Sequence, residues 1–212
     1  MPYLSLILIC CQNCKSPQIR GFYYIEESVL FMEQFEADLN ALFDGGNYIE
    51  HHTHVAILRF TTLFSFFEAK ICDFEGKQKL SEEYAIKLLG HGFDDFESIE
   101  RVYSYCLNRY LHENEVTDHF LSLCGCERWR QRPATSAGLQ TAITSILKLT
   151  EPQTDQKLMV CLFFCFRLRN NLFHGPKWNH NINYQVGNLH QASDLIYSIL
   201  RATKGTLWNL IE

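Results

Sequence analysis

The sequence lacks every short motif that marks a common class of enzyme. No G-x-G-x-x-G fingerprint, Walker loop, H-E-x-x-H helix or G-x-S-x-G elbow occurs in it. It also lacks internal repeats, low-complexity stretches and, almost entirely, the alternation of apolar and polar residues that is typical of strands. Dinucleotide-dependent, P-loop, zincin and α/β-hydrolase chemistry therefore find no support. The sequence predicts an all-α protein, a helical bundle.

Positive charge is also scarce. Lys and Arg total 19 against 24 Asp and Glu, which gives a net charge of −5 and a pI near 6.0. A protein with this balance does not coat nucleic acid through a generally basic surface. Any contact with RNA must therefore be local.

The apolar run from Leu4 to Cys11 lacks the features of a targeting segment. No basic residue precedes it, and it is too short to span a bilayer. We expect a buried strand or short helix within an irregular N-terminal segment, residues 1–25, packed on the core. Residues 26–212 are then expected to form one helical domain that makes no membrane contact.

Cysteine is present without a disulfide framework. The nine residues are odd in number and irregularly spaced, which indicates reduced, mostly buried thiols in a cytoplasmic protein. Cys10, Cys11 and Cys14 include a C-x2-C spacing, and with Cys124 and Cys126 they offer thiolates for a structural zinc ion. The usual second C-x2-C pair is missing, so we predict neither a metal nor a cofactor.

Apolar residues recur at helical spacing along most of the chain, separated by stop signals such as the turn Asp44-Gly45-Gly46-Asn47. Gly76 is expected to end the helix that precedes it. Ser81 is expected to cap one helix. His51 and His54 are expected to lie at a solvated helix start rather than in a metal site. The predicted helices cover residues 26–43, 51–74, 81–89, 95–111, 113–126, 139–149, 153–174 and 188–210.

One stretch organises the rest of the chain. Residues 158–166 are apolar at every position and contain no Gly or Pro, which indicates a helix buried on all sides. Polar residues then arrive together at its end: Arg167, Arg169, Asn170, Asn171 and His174. Polar groups on a buried element are costly unless they find partners, so this cluster requires an explanation.

Helix geometry limits which of these groups can meet. Arg167, Asn170 and His174 share one stripe, whereas Arg169 points roughly 140° away from His174 in an ideal helix. Gly175 and Pro176 both disfavour a continued helix. We therefore expect a frayed last turn, in which Arg169 can approach the imidazole.

The string RNNLFHG, residues 169–175, at the end of an apolar helix resembles the R-x4-6-H motif of the HEPN family. Arg169 with His174 matches the commonest spacing, and Arg167 with His174 also falls within the allowed range. The resemblance covers residues 50–205, mainly through the helical pattern outside the motif. It implies a HEPN-type bundle and, as in many members, a metal-independent ribonuclease that acts as a dimer.

The resemblance implies roles for five residues. Arg169 and His174 are expected to be catalytic, and Asn170, Arg167 and Glu68 are expected to support them. The stretch that contains Glu68 is similar to the helix that packs on the motif helix in HEPN proteins. Glu68 is therefore expected to hold the motif arginine. An ion pair between Glu68 and Lys70 or Lys87 is the alternative.

The chemistry of these residue types fits RNA, which carries its own nucleophile, the 2′-OH. A histidine can take or return a proton near neutral pH, and an arginine offers a fixed charge matched to phosphate oxygens. In the sequence, no carboxylate cluster stands beside the motif to hold Mg²⁺. One histidine supplies only one proton-transfer group, so a homodimer that pairs two motifs is expected.

Residues 127–133 form the most basic stretch of the chain. Arg128, Trp129 and Arg130 suit phosphate contact and base stacking, and Lys177 completes the predicted RNA-binding set. An ordinary solvated loop is the alternative for this stretch.

The motif chemistry and the resemblance together predict an RNA endonuclease. The resemblance also implies a role as a toxin or an anti-phage defence effector. The expected partners are RNA, a second copy of the chain, and an antitoxin or other protein. The competing interpretation is an inactive HEPN module that binds RNA, a nucleotide or a protein; a purely structural Arg and His at a helix C-terminus is a third. Some toxin members carry a Tyr two residues after the His that a partner nucleotidyltransferase modifies. Here Pro176 occupies that position, which puts that form of control in doubt.

Overall fold

The structure is a computed structural model that describes residues 32–42, 48–126, 133–174 and 182–208, with His174 described through its backbone. The chain divides into two compact units between His51 and His52. The predicted N-terminal segment, residues 1–25, lies outside the described residues. In the first unit residues 32–40 are helical, within the predicted helix 26–43. There the Asn40 side-chain amide bonds both backbone groups of Ile49.

The second unit is built almost entirely from helices, so the all-α prediction is confirmed. Short 3-10 turns, Gln78–Leu80 and Ile182–Gln185, precede its second and last helices. The helices, the first of which starts at the boundary, are α1 (His51–Ile71), α2 (Ser81–Gly90), α3 (Phe96–Tyr110), α4 (Asp118–Cys124), α5 (Ala137–Leu147), α6 (Thr154–His174) and α7 (Val186–Thr203). None of the described helices combines the length and hydropathy needed to cross a lipid bilayer.

Helix α6 is the centre of this unit. It packs against α2, α3, α4, α5 and α7, and every residue from Leu158 to Leu168 is buried. Its first turn is closed by Gln156, whose side-chain oxygen accepts a hydrogen bond from the Gln153 backbone N–H at 2.9 Å. Helix α1 adds an aromatic layer, in which Phe64 and Phe67 contact the ring of Phe166. The prediction of a helix buried on all sides is confirmed.

A small hairpin replaces the start of the helix predicted at 113–126. Strands β1 (Leu111–His112) and β2 (Glu115–Val116) pair antiparallel, with Leu111 opposite Val116. The two turn residues between them, Glu113 and Asn114, both have positive φ, the conformation that a two-residue hairpin requires. Helix α4 follows and ends, as predicted, at Gly125, which adopts the left-handed conformation.

Two predicted helix boundaries and one predicted cap were wrong. Helix α1 ends at Ile71 rather than near Gly76, because Asp73 and Phe74 have positive φ. Ser81 does not cap α2; its hydroxyl donates to the Gln78 carbonyl at 2.7 Å, since a 3-10 turn precedes the helix. Helix α7 begins before Asn188, which is buried and hydrogen-bonded to Gln185 and Tyr105.

The described cysteines are free, as the sequence predicted, and most are buried. Burial raises the pKa of the Cys72 and Cys124 thiols to about 12, so both stay protonated at neutral pH. Cys10, Cys11 and Cys14 lie outside the described residues. His54 is buried, contrary to the solvated helix start that the sequence indicated.

Candidate functional site

The polar residues at the end of α6 separate into two clusters on different sides of the helix. The first joins α6 to α4. Arg167 is 2% exposed; its Nε donates to the Leu123 carbonyl at 2.8 Å, and its Nη2 donates to Asn171 Oδ1 at 2.8 Å. The Asn171 Nδ2 also donates to the Leu123 carbonyl, at 3.2 Å.

These hydrogen bonds have a structural cause. Leu123 belongs to the last turn of α4, where backbone carbonyls lack partners within the helix and attract positive charge. Arg167 supplies both the donors and the charge. The side chain is therefore committed to the fold, and among the described side chains Arg167 contacts Asn171, which the predicted stripe did not include.

The second cluster faces α1 and centres on Arg169. Its Nη2 lies 3.4 Å from Glu68 Oε2, and its Nη1 donates to Asn170 Oδ1 at 3.2 Å. The guanidinium carbon also lies 5.9 Å from the ring centre of Phe64 and 5.5 Å from that of Phe173. The Arg169 and Glu68 side chains are 29% and 21% exposed, so the pair is half-buried at the surface.

The ion pair answers the question that the sequence left open for Glu68. Of the two lysines considered as alternative partners, Lys87 donates to the Ile71 carbonyl at 2.9 Å. Lys70 lies over the ring of Trp208, 5.9 Å from its centre. Among the described residues, Glu68 forms its ion pair with Arg169.

Gly76, in the loop after α1, encloses the Glu68 side chain. A Cβ atom at Gly76 would stand 2.6 Å from Glu68 Oε1 and 3.1 Å from its Cδ, well inside van der Waals contact. Any other residue at this position would require the Glu68 carboxylate to shift. Sequence reasoning treated Gly76 as a helix stop and missed this role, because no local signal connects it with Glu68.

Helix α2 holds the same loop in place. The Tyr84 hydroxyl donates to the carbonyls of Cys72 and Glu75, each at 3.3 Å. Burial raises the pKa of Tyr84 far above its ordinary value, so the hydroxyl remains a donor at neutral pH. With Lys87 on the Ile71 carbonyl, α2 fixes the backbone that surrounds Glu68.

His174 is the last residue of α6, and the backbone stays helical up to it. The frayed last turn that the sequence predicted is therefore not seen before His174. On a regular helix, positions 169 and 174 lie roughly 140° apart around the axis. A single chain consequently presents the two residue positions in different directions.

The structure does not describe the four residues that were predicted to bind RNA outside the motif. Arg128, Trp129, Arg130 and Lys177 lie outside the described residues. The chain is tied to α4 on both sides of residues 127–132. Before them the Cys126 N–H donates to the Leu121 carbonyl at 2.9 Å, and after them the Thr135 N–H donates to the Cys124 carbonyl at 3.0 Å.

Within the described ranges, no group of three or more His, Cys, Asp or Glu side chains is arranged to hold a metal ion. What the described site offers is a fixed, half-exposed cation beside an exposed aromatic ring. Such a cation can bind a phosphate oxygen.

Comparisons of this chain with family models, curated proteins and solved structures give no match.

Proposed function

We propose that this chain is a metal-independent RNA endonuclease of the HEPN type, active as a homodimer, with Arg169 and His174 as its catalytic residues. The observation that carries the proposal is the half-exposed Arg169, held by Glu68 at the end of a buried helix, five residues before His174. The all-α architecture around that helix agrees with a HEPN-type bundle.

The proposed reaction uses the 2′-OH of the RNA as nucleophile. Its oxygen bonds to the adjacent phosphorus while the bond from phosphorus to the 5′-oxygen breaks. One imidazole takes the 2′ proton and another group returns a proton to the leaving 5′-oxygen. Arg169 stabilises the charge that grows on the phosphate oxygens, and Asn170 orients its guanidinium. The products are a 2′,3′-cyclic phosphate and a 5′-OH.

Metal independence is proposed from the charges at the site. Metal-assisted nucleases hold divalent ions with several carboxylates. In the described part of the site, the carboxylate beside Arg169 is that of Glu68, and the guanidinium neutralises it. A neutralised carboxylate is a poor ligand for a divalent ion.

The homodimer is proposed because one motif supplies one histidine, and positions 169 and 174 diverge around the helix axis. A two-fold axis would bring the two motifs opposite each other, so that two histidines divide the acid and base roles. Sedimentation should show a dimer at micromolar concentration. A fully active monomer would rule out the composite site.

The role as a cytoplasmic toxin or anti-phage defence effector belongs to the same proposal, with an antitoxin or other protein as a further partner. Arg128, Trp129, Arg130 and Lys177 remain the proposed RNA-binding residues. The family resemblance supports these roles.

A second candidate function is an inactive module that binds RNA, a nucleotide or a protein. One observation favours it: the Arg169 guanidinium is already engaged by a carboxylate, an amide oxygen and two rings. A satisfied arginine is typical of a binding or structural role.

Incubation of the purified protein with a pool of structured RNAs in EDTA separates the two candidates. The endonuclease proposal expects cleavage in EDTA, cyclic-phosphate ends, intact single-stranded DNA and no cleavage by His174→Ala. Activity that needs added Mg²⁺, or that also degrades DNA, would contradict the mechanism. RNA binding without cleavage would favour the inactive module.

A further inference from the structure

Phe173 differs from the other apolar residues of α6. Residues from Leu158 to Leu168 are buried and Leu172 is 4% exposed, whereas Phe173 is 56% exposed. A single exposed apolar side chain is ordinary on a protein surface. What distinguishes Phe173 is its place between Leu172 and His174 and its contact with Arg169.

Two aromatic rings lie close to the Arg169 guanidinium. Phe64 is 2% exposed and forms the inner wall, with its ring centre 5.9 Å from the guanidinium carbon. Phe173 forms the outer wall at 5.5 Å, and more than half of its surface stays open to solvent. Because Glu68 holds the guanidinium from α1, the cation and the open aromatic ring are presented side by side as one surface.

We propose that Phe173 is a stacking platform for an unpaired RNA base. The inference rests on the proposed function, because Arg169 is taken to bind the phosphate of the nucleotide whose base stacks on Phe173. Unpaired bases stack on aromatic side chains and guanidinium planes, whereas bases inside a duplex are already stacked and paired. Stacking tolerates any base, so cleavage in loops with little base preference is expected.

Binding to a non-cleavable, 2′-O-methylated RNA of about 12 nucleotides isolates stacking from chemistry. Phe173→Ala should weaken binding of the single strand roughly 5- to 150-fold, the range that base–aromatic stacking gives. Phe173→Trp should retain affinity, and Phe173→Leu should not, since it keeps apolar bulk without a π face. The same RNA annealed into a duplex should bind weakly and without dependence on Phe173.

Phe96→Ala is the matched control, since Phe96 is 58% exposed at the start of α3. That end of α3 contacts α6 at Cys161, on the order of 18 Å along the helix axis from Phe173. This variant should bind RNA as the wild type does. Sedimentation of Phe173→Ala should show the same assembly as the wild type; dissociation would identify Phe173 as an interface residue and overturn the proposal.

A double-mutant cycle between Phe173 and each base of the RNA gives the decisive test. Each base of the RNA is removed in turn by an abasic substitution. At the position whose base stacks on Phe173, the wild type should lose affinity for the abasic RNA, whereas Phe173→Ala should lose none. If the wild type cleaves RNA but all Phe173 variants bind equally, stacking is overturned and the endonuclease stands. If binding depends on Phe173 but no RNA is cleaved, the endonuclease falls and the platform stands. Equal binding of duplex and single strand overturns the stacking platform, and a wild type that binds no RNA overturns both proposals.

Discussion

Arg167 and Arg169 are separated by one residue of α6, yet they lie in opposite environments. Arg167 is 2% exposed and bound to a backbone carbonyl and a buried amide. The side chain of Arg169 is 29% exposed and bound to a carboxylate between two rings. A buried guanidinium reaches a substrate only if the fold opens, whereas a half-exposed one can exchange a carboxylate for a phosphate.

The difference follows from helix rotation. Two residues turn the helix by roughly 200°, so one arginine faces the end of α4 and the other faces α1. The spacing of the R-x4-6-H motif admits both arginines, and only their surroundings separate them. Exposure and partners, rather than spacing, therefore distinguish the two arginines.

The largest expected effect tests directly the proposal that Arg169, rather than Arg167, is the catalytic arginine. Arg169→Ala should lower kcat/KM for RNA cleavage about 100- to 1,000-fold, as loss of a group that stabilises transition-state charge does. Its free energy of unfolding should change by only about 1 kcal/mol, since ion pairs at the surface contribute little. Cleavage assays and urea titrations on the same preparation measure both. A folded but inactive Arg167→Ala beside an active Arg169→Ala would reverse the assignment.

The complementary change should act on the fold. Arg167→Ala removes the hydrogen bonds to the Leu123 carbonyl and to Asn171 Oδ1, and leaves these buried acceptors without this donor. The free energy of unfolding should fall by about 3 kcal/mol, with the urea m-value unchanged. Asn171→Ala is the companion variant, and because both residues share Leu123, the double variant should lose less than the sum. Additive losses would show that the two side chains act independently.

Some of this arrangement could be predicted from sequence and some could not. The all-apolar run 158–166 was sufficient to predict a buried helix, since nothing on it needs water. Which way the two arginines point depends on α1 and α4, which are distant in sequence. The resemblance placed Glu68 near Arg169, but the partners of Arg167 were not predictable.

Local conformations were missed where the sequence signal was weak. The turn at Glu113 and Asn114 needs positive φ at both residues, and only Asn favours it. Gly76 was predicted to end a helix, because glycine disfavours helical conformation. Its closeness to Glu68 was not predicted, because it arises from the path of the chain after Ile71. Phe173 fits the apolar pattern of α6, so its exposure could not be read from the sequence.

A smaller effect is expected at the residue that encloses the carboxylate. Gly76→Ala places a methyl group 2.6 Å from Glu68 Oε1, so the flexible carboxylate must move and Arg169 loses its anchor. Cleavage should fall about tenfold, comparable to Glu68→Gln, with the fold nearly as stable. Gly90→Ala is the control, because no neighbouring atom lies within 4 Å of its added Cβ. Full activity in Gly76→Ala would mean that Glu68 does not position Arg169.

The smallest effect concerns a polar cluster that serves only the fold, at the N-terminus of α3. The Asp95 carboxylate accepts hydrogen bonds from the Ser98 N–H at 3.0 Å, from the Ser98 hydroxyl at 2.7 Å and from the Ser198 hydroxyl of α7. The pKa of Asp95 lies below its ordinary value. The hydrogen bond from Ser198 lowers it most, and the hydrogen bonds from Ser98 and the nearby charge of Arg101 lower it further. The unfolded chain therefore takes up a proton more readily than the folded one. The stability that Asp95 contributes is fully present above the unfolded pKa, about 4, and is lost as the pH falls through the lower folded value.

Asp95→Ala should cost about 1 kcal/mol at pH 7, with RNA cleavage by the folded variant unchanged. In urea titrations across pH 2–7, the gap between wild type and variant should be constant above about pH 5 and should narrow in acid. A gap that widened in acid would show that the folded protein prefers the protonated carboxyl, contrary to its three hydrogen-bond donors.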